Sequence, residues 1–231
     1  MMKVENLVGG WAGTVIVEDL SLEVRPGECV SVVGRNGVGK STLLELIMGR
    51  ASTYKGSVTI GGQDVTKDPA HARSWKGLGY VPQSREVFRS LSVREHFSIA
   101  VRPGTWTEER VLEVFPGLAA RIDSSAGKLS GGEQQMLAIA RCLLTNPRYI
   151  LMDEPSEGLA PVVVDQLLEA MRVVVNSGDV ALLLVEQRID LAVEFGDRII
   201  VMDRGRIVHQ CLPDEVGSDY GEIAEMFGLV G

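Results

Sequence analysis

The stretch Gly34-Arg35-Asn36-Gly37-Val38-Gly39-Lys40-Ser41 decides the fold of this chain. It fits the pattern G-x-x-x-x-G-K-[ST], in which a glycine-rich loop surrounds the phosphates of ATP or GTP. Glycines let backbone N–H groups point inward and approach phosphate oxygens closely. Lys40 supplies a positive charge for the β- and γ-phosphates, and the Ser41 hydroxyl can bind Mg²⁺. The stretch therefore predicts a nucleotide-binding loop.

The residues on both sides of this loop support that prediction. The apolar, β-branched run Cys29-Val30-Ser31-Val32-Val33 predicts a buried strand before the loop. Residues 42–48 predict a helix after it, with Gly49 as the stop signal. A helix that begins at the loop brings the positive end of its dipole beneath the phosphates. The alternative, a glycine-rich turn that binds nothing, is disfavoured because both flanks have the expected character.

The composition is that of a folded protein with an ample hydrophobic core. Of the 231 residues 45% are hydrophobic, which suits one large domain or a core with an inserted subdomain. A net charge of −8 disfavours nucleic acid as a partner, since phosphate backbones are held by excess Lys and Arg. Cys29, Cys142 and Cys211 are scattered, which indicates reduced thiols in the cytosol, and the first two are predicted to lie in the core. No secretory signal is visible, and no apolar run approaches the roughly 20 residues that span a bilayer. We therefore expect any action at a membrane to go through a partner.

Strand and helix signals alternate along most of the chain. The predicted strands are residues 4–8, 15–24, 56–60, 149–152, 180–185, 198–202 and 207–209. Residues 85–144 are mainly helical with breaks at Pro103-Gly104 and Pro116-Gly117, residues 162–175 form a further helix, and the acidic tail from Pro213 is predicted to be partly helical. This alternation predicts a sheet with helices on both faces and a ligand outside the carboxyl ends of the strands.

Asp153 and Glu154 follow the apolar strand 149–152 directly. Two carboxylates at the end of a buried strand are costly unless they have partners. A magnesium-bound nucleotide gives Asp153 a role as a Mg²⁺ ligand and Glu154 a role in polarising the attacking water. The alternative is a solvated loop after a core strand, which the phosphate-binding loop makes less favourable.

The stretch Leu129-Ser130-Gly131-Gly132-Glu133-Gln134-Gln135 begins an amphipathic helix. Ser130 and Glu133 have the spacing of a capping box. Glycine is costly in a first helical turn, so the pair Gly131 and Gly132 suggests that another group, such as an anion, comes close there. A well-capped helix with no ligand is the alternative.

These three motifs, in this order, resemble those of the nucleotide-binding subunits of ABC transporters, and the resemblance covers nearly the whole chain. It implies an α/β fold: a P-loop NTPase core with a parallel sheet flanked by helices, an N-terminal antiparallel β subdomain and an inserted helical subdomain. It also implies one ABC ATPase domain over residues 1–231. Residues 1–84 and 146–231 would form the core, and residues 85–145 the helical subdomain with the signature Leu129–Gln135.

The resemblance implies roles for individual residues. ATP contacts fall on Trp11, Gly34, Arg35, Asn36, Gly37, Val38, Gly39, Lys40, Ser41, Thr42, Gln83, Ser130, Gly131 and Gly132. Mg²⁺ ligands fall on Ser41, Gln83 and Asp153, and catalytic roles on Glu154, Lys40 and Gln187. Trp11 would stack on adenine, although a buried core tryptophan is the alternative.

The resemblance further implies that two such subunits meet head to tail. Each ATP would lie between the Lys40 side of one subunit and the Ser130 side of the other. The implied partners are membrane permease subunits, a second ATP-binding subunit in a homo- or heterodimer, and indirectly a substrate-binding protein, with the chain on the cytoplasmic face of the membrane. Phe88, Leu91 and Phe97 either dock a permease helix or belong to the helical core.

Two departures from the usual family pattern point to a branch. Gln187 stands where most members have a histidine, and Pro155-Ser156-Glu157-Gly158-Leu159-Ala160-Pro161 differs from the common form. Both resemble a bacterial branch that takes up branched-chain amino acids, with relatives for urea or short amides. Two alternatives stay open: a soluble ABC ATPase that acts on ribosomes or DNA, and a regulatory nucleotide sensor, which Glu154 disfavours.

Overall fold

Two β-sheets and the helices packed on them make up residues 1–216, which a computed structural model describes. The strands are β1 (Met2–Trp11), β2 (Thr14–Val24), β3 (Cys29–Val33), β4 (Ser52–Ile60), β5 (Gln63–Asp64), β6 (Leu78–Val81), β7 (Tyr149–Asp153), β8 (Ala181–Glu186), β9 (Arg198–Asp203) and β10 (Arg206–Cys211). The helices are α1 (Lys40–Met48), α2 (Ala70–Trp75), α3 (Val93–Ala100), α4 (Glu108–Val114), α5 (Pro116–Ala119), α6 (Gly131–Leu144), α7 (Pro161–Asn176) and α8 (Ile189–Phe195).

The first sheet is antiparallel, with the strand order β2-β1-β4-β5. Strand β1 pairs with β2 on one edge and with β4 on the other, and both pairings contain register shifts. Its buried residues, Met2, Val4 and Leu7 among them, join the core beneath α1. The antiparallel sheet near the N-terminus is therefore confirmed.

The second sheet has the order β10-β9-β3-β8-β7-β6. Its strands run parallel from β9 to β6, and only β10 is antiparallel. Every residue of β3, β7 and β8 is buried, as expected for strands covered on both faces. The loops that follow these three strands leave from one edge of the sheet, so the α/β fold brings the phosphate loop, Glu154 and Gln187 together.

Helix α6 contributes more buried residues than any other helix in the segment between β6 and β7. Ten of the 14 residues of α6 are buried, including Leu137, Ile139, Leu143 and Leu144, so this helix supplies much of the core of the helical layer. Phe97 is 1% exposed and belongs to this core, whereas Phe88 is 53% exposed. Phe97 is therefore a core residue and Phe88 is not, whereas docking of a permease by Phe88 stays a prediction.

Several details differ from the sequence prediction. Helix α1 starts at Lys40 rather than at residue 42, so the motif's lysine and serine lie in its first turn. Pro116 begins the short α5 instead of only ending a helix, because proline suits the first helical position. Cys29, Cys142 and Cys211 are free and buried, Cys211 included. Of the predicted helical tail, Pro213–Glu215 form a 3₁₀ turn and residues 217–231 lie outside the described part. Within residues 1–216, no helix has the length and apolar character to cross a membrane.

Candidate nucleotide-binding site

The glycine-rich loop is shaped by its neighbours. A Cβ on Gly34 would lie 2.3 Å from the carbonyl oxygen of Met202, so no larger residue fits between the loop and β9. Gly39 has a φ of 105°, which favours glycine. Lys40 donates from Nζ to the carbonyl oxygens of Gly34 at 2.8 Å and of Arg35 at 3.1 Å. The lysine charge is therefore held inside the loop, above the N-terminus of α1.

Asp153 and Glu154 face this lysine from the end of β7. Ser41 donates from Oγ to Oδ1 of Asp153 at 3.0 Å, and Nζ of Lys40 lies 3.3 Å from Oε1 of Glu154. Lys40, Asp153 and Glu154 are all buried. Glu154 has a φ of 45°, a conformation that is uncommon outside glycine and recurs at functional sites.

The charge balance of this cluster suits a divalent cation. One lysine faces two carboxylates, and burial raises the pKa of Asp153 to about 6, with the neighbouring charge of Glu154 adding to the rise. The hydrogen bond from Ser41 acts in the opposite direction. A hydroxyl, one carboxylate and an amide oxygen are hard donors of the kind that hold Mg²⁺ together with substrate phosphates. Ser41, Asp153 and Gln83 thus fit the ion.

Two glutamine side chains converge on Glu154. Gln187 donates from Nε2 to Oε2 of Glu154 at 2.5 Å, and Gln83 lies at 3.5 Å from the same oxygen. Gln83 also donates to Oε2 of Glu157 in the following turn. The structure therefore brings Lys40, Ser41, Gln83, Asp153, Glu154 and Gln187 into one cluster, in which hydrogen bonds and the Lys40–Glu154 ion pair connect the side chains.

Glu186 is a functional-site neighbour that the sequence reasoning did not single out. It ends the buried strand β8, is 2% exposed, and accepts from the backbone N of Ser156 at 3.3 Å and from its Oγ at 3.1 Å. Glu186 thereby joins the end of β8, next to Gln187, to the turn that follows Glu154. The argument used for Asp153, a carboxylate at the end of an apolar strand, could have found it.

Packing within the chain requires glycine at one position of the signature stretch, Gly132. Ser130 caps α6 and accepts from the backbone N of Glu133, with the reciprocal bond present, so the predicted capping box is confirmed. A Cβ on Gly132 would lie 2.2 Å from Cγ1 of Val163 in α7, and one on Gly131 would lie 3.2 Å from Nη1 of Arg85. No described contact joins these residues directly to the Lys40 cluster.

The remaining predicted contacts lie around the loop. Arg35, Asn36 and Gly37 are exposed, Val38 is buried and Thr42 is half-buried in α1. Trp11 is 44% exposed at the end of β1, so it is not a core tryptophan. Ile16 of β2 lies against Gly39, which brings the β1–β2 hairpin beside the loop.

A phosphate loop on a mixed sheet, with an acidic strand end opposite its lysine, defines an α/β ATPase of the P-loop class. Residues 17–157, more than half of the chain, match the ABC transporter family. The chain belongs to this family: it is an ATP-binding subunit of an ABC transporter and an ATPase.

Curated relatives agree with this assignment over most of the chain. The high-affinity branched-chain amino acid transport ATP-binding protein BraG of Pseudomonas aeruginosa is 40% identical over 200 residues, 83% of this chain and 84% of BraG. The lipopolysaccharide export system ATP-binding protein LptB of Escherichia coli K12 is 32% identical over 223 residues, 93% of this chain and 92% of LptB.

Solved structures share the fold over nearly the full length. The ADP conformation of MJ1267, an ATP-binding cassette of an ABC transporter, has a TM-score of 0.83 at 25% identity and covers 99% of this chain and 98% of its own. A dimeric post-hydrolysis state of the ATP-binding cassette MJ0796, bound to ADP and Pi, has a TM-score of 0.79 at 25% identity. The match covers 92% of this chain and 99% of the MJ0796 chain.

Proposed function

We propose that the chain is the ATP-hydrolysing subunit of an importer for branched-chain or other hydrophobic amino acids. The observation that carries this proposal is the 40% identity to BraG, above the 32% identity to the export protein LptB. Urea or short amides as the substrate, and an ABC ATPase that acts outside transport, are the competing functions. The substrate itself would be selected by permease and binding-protein partners, and the chain would work on the cytoplasmic face of the membrane.

The geometry of the cluster supports a specific division of labour. The backbone of residues 34–39, Lys40, Ser41 and Thr42 would hold the phosphates of ATP, and Trp11 would stack on adenine. Glu154 would accept the proton of the water that attacks the γ-phosphate, and Gln187 would hold Glu154 in place. Mg²⁺, held by Ser41, Gln83 and Asp153, would neutralise phosphate charge.

The signature would act on a second subunit's nucleotide. The chain has one phosphate loop and one signature, and no described contact joins the two directly. A head-to-tail dimer, as a homodimer or with a related subunit, would bring Ser130, Gly131 and Gly132 to the facing ATP. The N-terminal dipole of the 14-residue α6 would favour the γ-phosphate there.

An apolar groove on the helical layer is suited to a permease. Its volume is about 410 Å³, and its lining includes Tyr80, Phe88, Ile99 and Arg141. Phe88 and Ile99 are exposed at 53% and 61%, and Phe88 stacks on His96 while Arg141 lies over its ring. An exposed aromatic held in one position provides apolar area with little entropy to lose on docking.

Two experiments test the proposal. Calorimetry with ATP and Mg²⁺ should detect binding to the wild type and none to Lys40→Ala; equal affinities would contradict the assignment of the loop. Co-purified permeases, reconstituted in vesicles with their binding protein, should raise ATP turnover when leucine, isoleucine or valine is supplied. Stimulation by urea alone would select the competing importer, and purification without any permease would favour the role outside transport.

A further inference from the structure

Arg85 connects two parts of the site that the proposed function assigns to different nucleotides. It follows Gln83, a proposed ligand of the chain's own Mg²⁺, by two residues. Its guanidinium reaches the first turn of α6, where Nη1 would lie 3.2 Å from a Cβ on Gly131. Gly131 belongs to the signature, which would serve the ATP of the facing subunit.

The contact of Arg85 with α6 is anchored inside the helix. Nε of Arg85 donates to Oε1 of Gln135 at 3.1 Å, and Gln135 is 2% exposed. Within residues 1–216, Arg85 forms no ion pair, and the one acidic residue in the first turn of α6, Glu133, is engaged by Ser130 and Arg121. A cation beside the positive end of a helix dipole is unfavourable by itself, and an anion at the same end relieves the repulsion. The position of the Arg85 guanidinium is therefore favourable when the triphosphate of a nucleotide lies at the N-terminus of α6.

The loop that carries Arg85 is held from two sides. Arg141 of α6 donates from Nη1 to the carbonyl oxygen of Glu86 at 3.0 Å. Arg50, just after α1, donates to both carboxylate oxygens of Glu86, at 3.0 and 2.8 Å. Arg85 and Glu86 have φ values of 66° and 46°, a conformation that two successive non-glycine residues keep only when their surroundings impose it. The loop that presents Arg85 to Gln135 and Gly131 is therefore held in one conformation by its surroundings.

Resting on the proposed function, we propose that Arg85 is a positioning residue that sets the signature turn for the nucleotide of the facing subunit. It would act through Gln135 and Gly131, not by contact with the chain's own ATP. Because Gln83 lies in the same loop, Arg85 would link occupancy of one nucleotide site to the geometry of the other. Its loss should then impair the partner's site.

Two mixtures of variants test in which subunit Arg85 acts. The first combines wild type with an excess of Lys40→Ala/Arg85→Ala, and the second combines Arg85→Ala with an excess of Lys40→Ala. Each mixed dimer has one intact Lys40 loop and lacks one Arg85, and only the position of the missing arginine differs. We expect the first mixture to turn over ATP about tenfold more slowly than the second, the loss for one hydrogen bond to a charged group. Equal rates, or a slower second mixture, overturn the proposal.

Controls separate this role from a defect in folding and from failure of the proposed function. The exposed Arg89 lies in the same loop, and Arg89→Ala in place of Arg85→Ala should give equal rates. Gln135→Leu removes the acceptor and should reproduce the difference between mixtures, whereas a folding defect would lower both rates equally. Wild type with Lys40→Ala gives the reference rate. Failure of the wild type alone to bind ATP contradicts the proposed function, while a normal reference rate with equal variant rates contradicts only the role of Arg85.

Discussion

Gln187 donates a hydrogen bond from Nε2 to Oε2 of Glu154 at 2.5 Å, and thereby joins the end of β8 to the turn after β7. A glutamine at this position can donate a hydrogen bond but cannot become cationic. Glu154 is also 3.3 Å from Lys40, so its carboxylate is held from two directions. The proposed base is therefore oriented by a neutral group on one side and a charged group on the other.

Replacing Gln187 should slow hydrolysis without weakening ATP binding. Gln187→Ala removes one donor to a charged acceptor, so we expect turnover to fall roughly tenfold. Gln187→His should retain activity and add a pH dependence from its imidazole to the one that Asp153 gives the wild type. Steady-state rates from pH 5.5 to 8 measure both effects; unchanged turnover in Gln187→Ala would exclude a role for this bond.

Glu154→Gln should bind ATP and fail to hydrolyse it. Loss of a general base lowers turnover by about 10² to 10⁴-fold, while the phosphate loop keeps its lysine. With hydrolysis blocked, ATP should hold the dimer, which light scattering detects as a doubling of mass. Glu157→Gln is the matched control, because this exposed carboxylate also accepts from Gln83 and has no contact with Lys40. Normal hydrolysis by Glu154→Gln would assign the base elsewhere.

The buried Glu186 should make stability depend on pH. Burial raises the pKa of Glu186 from 4.5 to about 7, and the hydrogen bonds from Ser156 oppose this only in part. The folded protein therefore binds this proton more tightly than the unfolded chain, so the contribution to stability is complete below pH 4.5 and is lost as the pH rises through 7. Relative to Glu186→Gln, the free energy of unfolding of the wild type should fall by roughly 2–3 kcal/mol between about pH 4.5 and pH 8.

Denaturant titrations of both proteins across this pH range check the prediction. Asp153 also has a raised pKa, but it is present in both proteins and its effect cancels in the difference. The charged groups that act on Glu186 include Glu154, whose charge raises the pKa of Glu186, and Arg188. A difference that is flat with pH would mean that Glu186 stays ionised throughout.

Phe88 and Phe97 should respond differently to alanine. Phe97→Ala removes a core side chain and should lower the free energy of unfolding by about 3–5 kcal/mol. Phe88→Ala alters an exposed side chain and should change stability by no more than about 0.5 kcal/mol. If the groove binds a permease, Phe88→Ala should nevertheless reduce co-purification with it. Full retention of the permease would exclude Phe88 from that surface.

Gly132 and Val163 provide a test of why the signature contains glycine. Gly132→Ala should destabilise the fold by about 1–3 kcal/mol, because its Cβ would lie 2.2 Å from a methyl of the stiff valine side chain. Val163→Ala removes that methyl, so the double variant should regain stability. ATP turnover should recover with stability if packing alone selects glycine. Restored stability without restored turnover would indicate that the facing nucleotide needs this space too.

The sequence predicted best those features that depend on neighbours along the chain. The loop from Gly34 to Ser41, the strand before it and the capping box at Ser130 each lie within a few residues, so local pattern was sufficient. The position of Phe88 was not predictable, because it lies outside α3 and its exposure depends on how the loop meets α6. The α/β alternation predicted a sheet with helices on both faces, but not the order of β3, β8 and β7 within that sheet.

Contacts between distant segments were not predictable from residue type. Glu186 meets Ser156 because β7 and β8 pair in one register, and Arg85 meets Gly131 because the loop after β6 crosses the start of α6. The presence of a serine or an arginine in the sequence does not indicate which distant residue its side chain will contact. The glycines of the signature were correctly interpreted as sites of close approach, but the structure shows neighbours in the same chain, Val163 and Arg85, at that distance.

Order of synthesis matters for the phosphate loop. Gly205, in the turn between β9 and β10, donates to the carbonyl oxygen of Val38 at 2.8 Å and accepts from the backbone N of Glu18 at 2.9 Å. On the ribosome, the glycine-rich segment emerges long before the turn that braces it. We therefore expect the phosphate loop to reach its binding conformation only after the β9–β10 hairpin has left the exit tunnel.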